Sequence, residues 1–438
     1  MPVPPPPTSA RTPGAAAPPA GDAWPPAVKL VMAARFARSV GQGALVVGFT
    51  LYLHALGWHA TAIGGLLSAA LLFGVGLTLL VGPASDRLGR KPFLLAYEGV
   101  LIASALMALG SSATWVLSLG AILGGFGRGA NGAAGPFGPL EQAWLAQDLL
   151  PAQRAGVFSV NSALGFGGMA AGALLAGLPA AWGRQLPGAL AYRPLFLLPL
   201  LGSAIGLVLL ARAPDARRRA PPAAPGAGAA STSAAGAGTT ARRAPSAARR
   251  EENRQLLRLA LANTLNGFGI GLVAPLMAYW FLRRFGRGPA SIGPALGAGF
   301  VLAALGGLIA ARIAARVGVV RTVVVMRGAG LALMLLTPFM PAFGLAAALW
   351  AARAAFNQGT LGVRQALTMG LTRRHRQGLA ATVNNVSIQV PRAVGPAIAG
   401  LMLHRGWLTA PFLAAAALQL AYLVAYQRLF GGLEGVDA

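Results

Sequence analysis

None of the 438 residues is a cysteine. That excludes disulfides, thiol nucleophiles and cysteine-based metal sites. Charge is scarce too: 11% of the residues are charged, against about 25% in a soluble domain. Acids are the scarcest, with ten Asp and Glu against 36 Lys and Arg. Six acids, Asp22, Asp215, Glu251, Glu252, Glu434 and Asp437, sit in terminal or linking stretches. The rest are Asp86, Glu98, Glu141 and Asp148, all in the first half. A carboxylate proton relay therefore has only these four to use. The four histidines are scattered without ligand spacing, so no metal or cofactor is expected. Neither a nucleophile elbow nor a phosphate-binding G-x-x-x-x-G-K-[ST] loop is present, which argues against an enzyme and against direct ATP drive.

What is abundant is apolar: 55% of residues are hydrophobic. A membrane-spanning helix needs about 20 apolar residues, and twelve segments qualify: 31–53, 62–82, 92–109, 114–138, 156–179, 194–211, 256–281, 291–311, 319–339, 342–363, 379–403 and 407–427. The expected fold is an all-α membrane protein of 12 transmembrane helices in two six-helix bundles. The 60 glycines suit helices that approach closely in lipid. The net charge of +26 gathers in the tails, the linker and alternate loops, with Arg128, Arg353 and Arg392 taken as the arginines inside the membrane. This is the positive-inside pattern with both termini cytoplasmic, and it makes nucleic-acid binding unnecessary as an explanation. The stretch 1–27 lacks an apolar signal region and reads as a disordered cytoplasmic tail. The basic, low-complexity stretch 213–252 reads as a cytoplasmic linker between bundles at 28–212 and 253–430, with a tail at 431–438.

Between the second and third spans the chain reads G-P-A-S-D-R-L-G-R-K. This closely resembles the loop pattern G-x-x-x-D-R-x-G-R-[KR] of the major facilitator superfamily of transporters, through Gly82, Asp86, Arg87, Gly89, Arg90 and Lys91. The halves also resemble each other. Val160-Asn161 aligns with Val383-Asn384 and Gly177 with Gly400 at an offset of about 223 residues, and Ile63-Gly64 aligns with Ile292-Gly293 at about 229. The second copy carries Ala315 where the first has Asp86. The resemblance implies that Asp86 caps the start of the eleventh span, near 379–382, and acts as a conformational switch.

Glu98, about 9 Å into the third span, needs a partner, and Arg90, Lys91 and Arg128 are the candidates. Glu141, at the end of the fourth span, could form a relay with Arg90. Arg128, in G-G-F-G-R-G-A-N-G, falls near the middle of that span and resembles the family's buried arginine associated with proton coupling. Glu141 with Arg128, then Glu98, are thus the proton-coupling candidates. Gln42, Asn161, Asn263, Asn266, Arg353, Asn357, Gln358, Asn384, Asn385, Gln389 and Arg392 lie within spans at comparable depths, where polar groups either bridge helices or face a substrate cavity. Trp58, Tyr279, Trp280 and Trp407 sit near membrane boundaries and read as interface anchors. The family's helix-5 antiporter signature lacks its proline here, with only Gly165, Gly167, Gly168 and Gly172 present.

The expected protein is a monomeric secondary transporter in the plasma (inner) membrane, in contact with lipid. It would move a small organic solute by alternating access, coupled to protons, with export favoured. The alternatives are a uniporter or importer of a small, possibly anionic, metabolite, and a non-transporting sensor or scaffold.

Overall fold

The computed structural model describes residues 24–128, 138–147, 149, 151–183, 185–214, 246–362, 364 and 377–430. The helices of the first half are α1 Pro26–Ala55, α2 Ala60–Leu88, α3 Arg90–Gly110, α4 Thr114–Gly124, α5 Gly138–Gln147, α6 Pro151–Leu175, the short α7 Pro179–Trp182, and α8 Leu197–Arg212. The second half contributes α9 Ser246–Val273, α10 Met277–Phe285, α11 Pro289–Val317, α12 Val319–Leu336, α13 Phe343–Gly359, α14 Gln377–His404 and α15 Ala410–Phe430. Among the described residues, ten helical stretches are long and apolar enough to cross a membrane. With the shorter α4 and α13 they account for twelve spans, and the protein is a multi-pass membrane protein.

The first span begins earlier than its apolar run suggests, because Pro25 and Pro26 supply a fixed φ at the helix start. The fourth span is broken. α4 ends at Gly124, Gly125 and Gly127 take left-handed φ values of 64° and 72°, and Arg128 follows in non-helical backbone. Arg128 therefore does not lie mid-helix, and residues 129–137, with Gly132, are outside the described residues. Asp148, the linker core 215–245 and residues 1–23 and 431–438 also lie outside them, while the last residues assigned to the N-terminal tail, Pro26 and Ala27, already belong to α1.

The repeat is visible in the backbone. Gly89 separates α2 from α3 with φ 97°, and Gly318 separates α11 from α12 with φ 89°. A side chain at either turn would be strained, so both copies use glycine.

Within each half, glycines let helices touch backbone to backbone. Gly43 and Gly172 bring α1 against α6, and Gly267 and Gly271 bring α9 against α14. The glycine run of the fifth span thus serves packing against α1. Between halves, α2 packs on α14 and α6 packs on α11. Gly64 lies against the Pro396 carbonyl, and a Cβ placed on it would stand 3.1 Å from Gly400 Cα. The repeat-related contact sets Gly293 against the Ala173 carbonyl, where a Cβ would stand 3.6 Å from the Gly177 nitrogen. Two symmetry-related, glycine-lined contacts close one end of the seam between the halves. At that end His59 and His404 also meet, with ring centroids 5.2 Å apart.

Tyr279 and Trp280 are buried rather than set at the membrane boundary. Trp280 packs on Phe412 at 4.7 Å and donates from its indole N–H to the Leu408 carbonyl at 2.8 Å. Trp407 is 53% exposed, as an interface anchor would be.

Candidate functional site

Two polar centres stand out in the apolar interior. The first is a four-charge cluster inside the first half. Arg38, about 18 Å along α1 from its start, donates to Glu98 Oε1 of α3 at 2.5 Å and also to Glu141 Oε1 of α5. Arg35, one turn earlier, donates to Glu141 Oε2 at 3.3 Å. Arg38, Glu98 and Glu141 are all essentially sealed from solvent. Two cations facing two anions make the set neutral, which is the condition under which buried charge is tolerated. Neighbouring glycines make the room. A Cβ at Gly206 of α8 would stand 2.9 Å from Glu98 Oε1, and one at Gly165 of α6 would stand 2.8 Å from Arg35 Nε.

The cation beside Glu98 and Glu141 is therefore Arg38, which sequence reasoning did not single out. Arg90 instead donates to the Ala143 carbonyl at 2.8 Å, and Lys91 donates to the carbonyls of Ala211 and Ala213 at 2.8 and 2.7 Å. Lys91 thus binds carbonyls at the end of α8, where a cation complements the helix dipole. Gly82 meets nothing that would exclude a side chain, and Arg87 is exposed. The side chain of Asp86 is outside the described residues, and so is its contact with the eleventh span.

Beside this cluster lies a cavity of about 390 Å³, reached by Arg38, Gln42, Arg128 and Ser203. Arg128 donates to the Tyr97 hydroxyl at 3.4 Å. Its Nε and second terminal nitrogen, and both amide atoms of Gln42, are buried with no hydrogen-bond partner among the described residues.

The second centre is a cavity of about 770 Å³, formed mainly by the second half and touching α1 at Val46. Arg327, Arg353 and Arg364 line it, with Asn357, Gln358 and Trp350. Arg327 donates to Asn266 Oδ1 at 2.5 Å and Gln419 Oε1 at 2.8 Å, and lies 4.9 Å over the Tyr422 ring. Arg353 stacks 4.5 Å over the Trp350 ring, an arrangement worth up to about 2 kcal/mol when desolvated. Val46 also lines the smaller cavity, so the two chambers adjoin at one α1 side chain.

Of the substrate-cavity candidates, Arg353, Asn357 and Gln358 line the large chamber and Gln42 the small one. Others hold helices together. Asn263 donates to Asn384 Oδ1 at 2.9 Å and to Ser387 Oγ at 3.2 Å, bridging α9 and α14. Asn266 positions Arg327, and Gln389 accepts from Arg392 at 3.3 Å. Asn161 is buried and Asn385 half-buried. Arg392 reaches across the seam and donates to the Arg128 carbonyl at 2.9 Å. The Ala397 amide does the same to Ser68 Oγ at 2.9 Å.

Sequence reasoning missed Arg35, Arg38 and Arg327 as membrane-interior charges. The signal was there: an arginine in the ninth span at V-V-V-M-R, and an i, i+3 arginine pair in the first.

No curated protein sequence matches the chain. Solved structures do resemble it. The nucleoside transporter NupG matches at TM-score 0.66 and 14% identity, covering 92% of this chain and 99% of that one. A bacterial homologue of the human lysosomal transporter Spinster, inward-facing and occupied, matches at 0.67 and 13%, over 92% and 96%. The human organic anion transporter MFSD10 matches at 0.56 and 19%, over 92% and 99%. At these identities the likeness establishes the fold. The family model of the Major Facilitator Superfamily matches residues 31–253 and 259–434, and so the chain belongs to that superfamily of transporters.

Proposed function

We propose that the protein is a secondary active transporter that moves a small organic solute by alternating access, coupled to protons, with export the favoured direction. The observation that carries the reading is the seam. Repeat-related glycine pairs, Gly64 with Gly400 and Gly293 with Gly177, close one end, and an arginine-bearing chamber of the second half meets the first half at Val46. Contacts built from small residues and few hydrogen bonds can part at low cost, as a seam that opens and closes requires. The positive-inside distribution supports cytoplasmic termini, and a plasma-membrane setting is part of the same proposal. In that orientation the closed end is the outer one, and the conformation is inward-facing. The linker and bundle boundaries, 213–252 between 28–212 and 253–430, are part of the same proposal.

Proton coupling is supported by the placement of Glu98 and Glu141 on a shared cation. The three side chains come from α1, α3 and α5, so their pairing depends on how these helices are arranged. Protonating one carboxyl frees Arg38 to bind the other alone, which couples proton occupancy to the packing of α1, α3 and α5. The similar solved structures include transporters of nucleosides, peptides and organic anions, so labelled members of these classes form the test panel. Reconstituted protein with an imposed pH gradient should accumulate at least one of them. If the panel moves no faster than in protein-free liposomes, the transport reading fails.

A further inference from the structure

The described walls of the large chamber carry arginines and no acid. Three arginines, Arg327, Arg353 and Arg364, line one cavity, and no Asp or Glu occurs anywhere between Glu252 and Glu434. The described neighbours of Arg327 are neutral: two amide oxygens and an aromatic ring. Arg353 lies on Trp350, and its buried Nε has no hydrogen-bond partner among the described residues. The first half shows the contrasting solution, where Arg35 and Arg38 are matched by two carboxylates. An arginine cannot shed its proton to escape burial, and an isolated buried charge is costly. Among the described residues no acid pairs with Arg327 or Arg353, so an anion brought from outside the chain is the partner this chamber suits.

The remaining walls indicate what carries that anion. Met277, Leu296, Phe300 and Ile270 are apolar, and Trp350 presents its ring beside the guanidinium of Arg353. Guanidinium groups set among apolar and aromatic walls suit an organic anion better than an inorganic ion. Resting on the transport reading above, we infer that the solute is a small organic acid with an aromatic or similarly flat apolar body. Its carboxylate or phosphate pairs with Arg353 and the neighbouring arginines, and its body lies against Trp350 and Phe300.

The test uses purified full-length protein and matched probes: benzoate, 2-naphthoate and phenyl phosphate, the neutral benzamide and 2-naphthamide, and chloride. At least one organic anion should raise the melting temperature and bind at least about tenfold more tightly than its neutral partner, and chloride at equal ionic strength should not reproduce the shift. Arg353→Gln should weaken that anion at least about tenfold, because a buried charge pair loses one member. Arg353→Lys should recover part of the loss, and neutral probes should be unaffected by either change. Equal stabilisation by neutral and anionic probes, or a shift given by chloride alone, overturns the inference. Liposome flux separates the two readings. Anion binding without flux upholds the ligand class and fails the transport reading, whereas flux of neutral panel members with no preference for anions does the reverse.

Discussion

Arg38 holds both membrane-buried carboxylates of the described structure, Glu98 and Glu141, which come from helices 60 and 103 residues away in sequence. Removing it leaves two buried anions with Arg35 as their remaining described cation. Arg38→Leu should therefore destabilise the first half by about 3–5 kcal/mol, the cost of breaking a buried ion pair from one side. The double variant Glu98→Gln/Glu141→Gln leaves both arginines uncompensated, and adding Arg38→Leu to it should restore part of the lost stability. Thermal unfolding in detergent reads both effects. Additive losses across the triple variant would mean that the three residues do not act as one unit.

Gly206 gives the carboxylate of Glu98 its space. Gly206→Ala should push on the Glu98–Arg38 pair, lower stability by about 1–3 kcal/mol as overpacking does, and weaken any response of flux to a pH gradient. An unchanged melting curve and pH response would show that α8 yields without disturbing Glu98.

Coupling itself can be read from the acids. In liposomes Glu141→Gln and Glu98→Gln should each reduce gradient-driven flux, and the double variant should lose its response to the gradient while retaining counterflow of solute. A double variant that keeps the full response would rule out carboxylate coupling at this cluster.

Asp86 is the acid of the loop motif, and the second copy has Ala315 in its place. Asp86→Asn should remove most transport while expression and insertion persist, as flux and surface abundance would show; flux within about twofold of the parent would remove it as a switch. By contrast, deletion of 221–240 from the linker should change flux little, since a low-complexity tether need only span its two ends.

The architecture was legible because the bilayer imposes a length on each apolar run, and because a glycine-flanked basic loop recurs at the two repeat positions. The fourth span misled because G-G-F-G-R-G reads as apolar by composition, whereas Gly125 and Gly127 turn left-handed and end the helix at Gly124. The charge partners were not legible. Pairing of Arg38 with Glu98 and Glu141 depends on how α1, α3 and α5 meet, and nothing in local spacing reports that. Amides had the same limit: Asn384 and Gln358 sit at similar depths, yet one bridges helices and the other faces a chamber.

Alternating access is tested most directly by fixing the closed end of the seam. His59 and His404 face each other there from opposite halves, and the absence of native cysteine removes any background in thiol chemistry. In the variant His59→Cys/His404→Cys, a short reducible bifunctional cross-linker should stop flux, and reductant should restore it. Each single variant should transport normally with or without the reagent. Continued full flux by protein shown to be cross-linked across this seam would contradict the account.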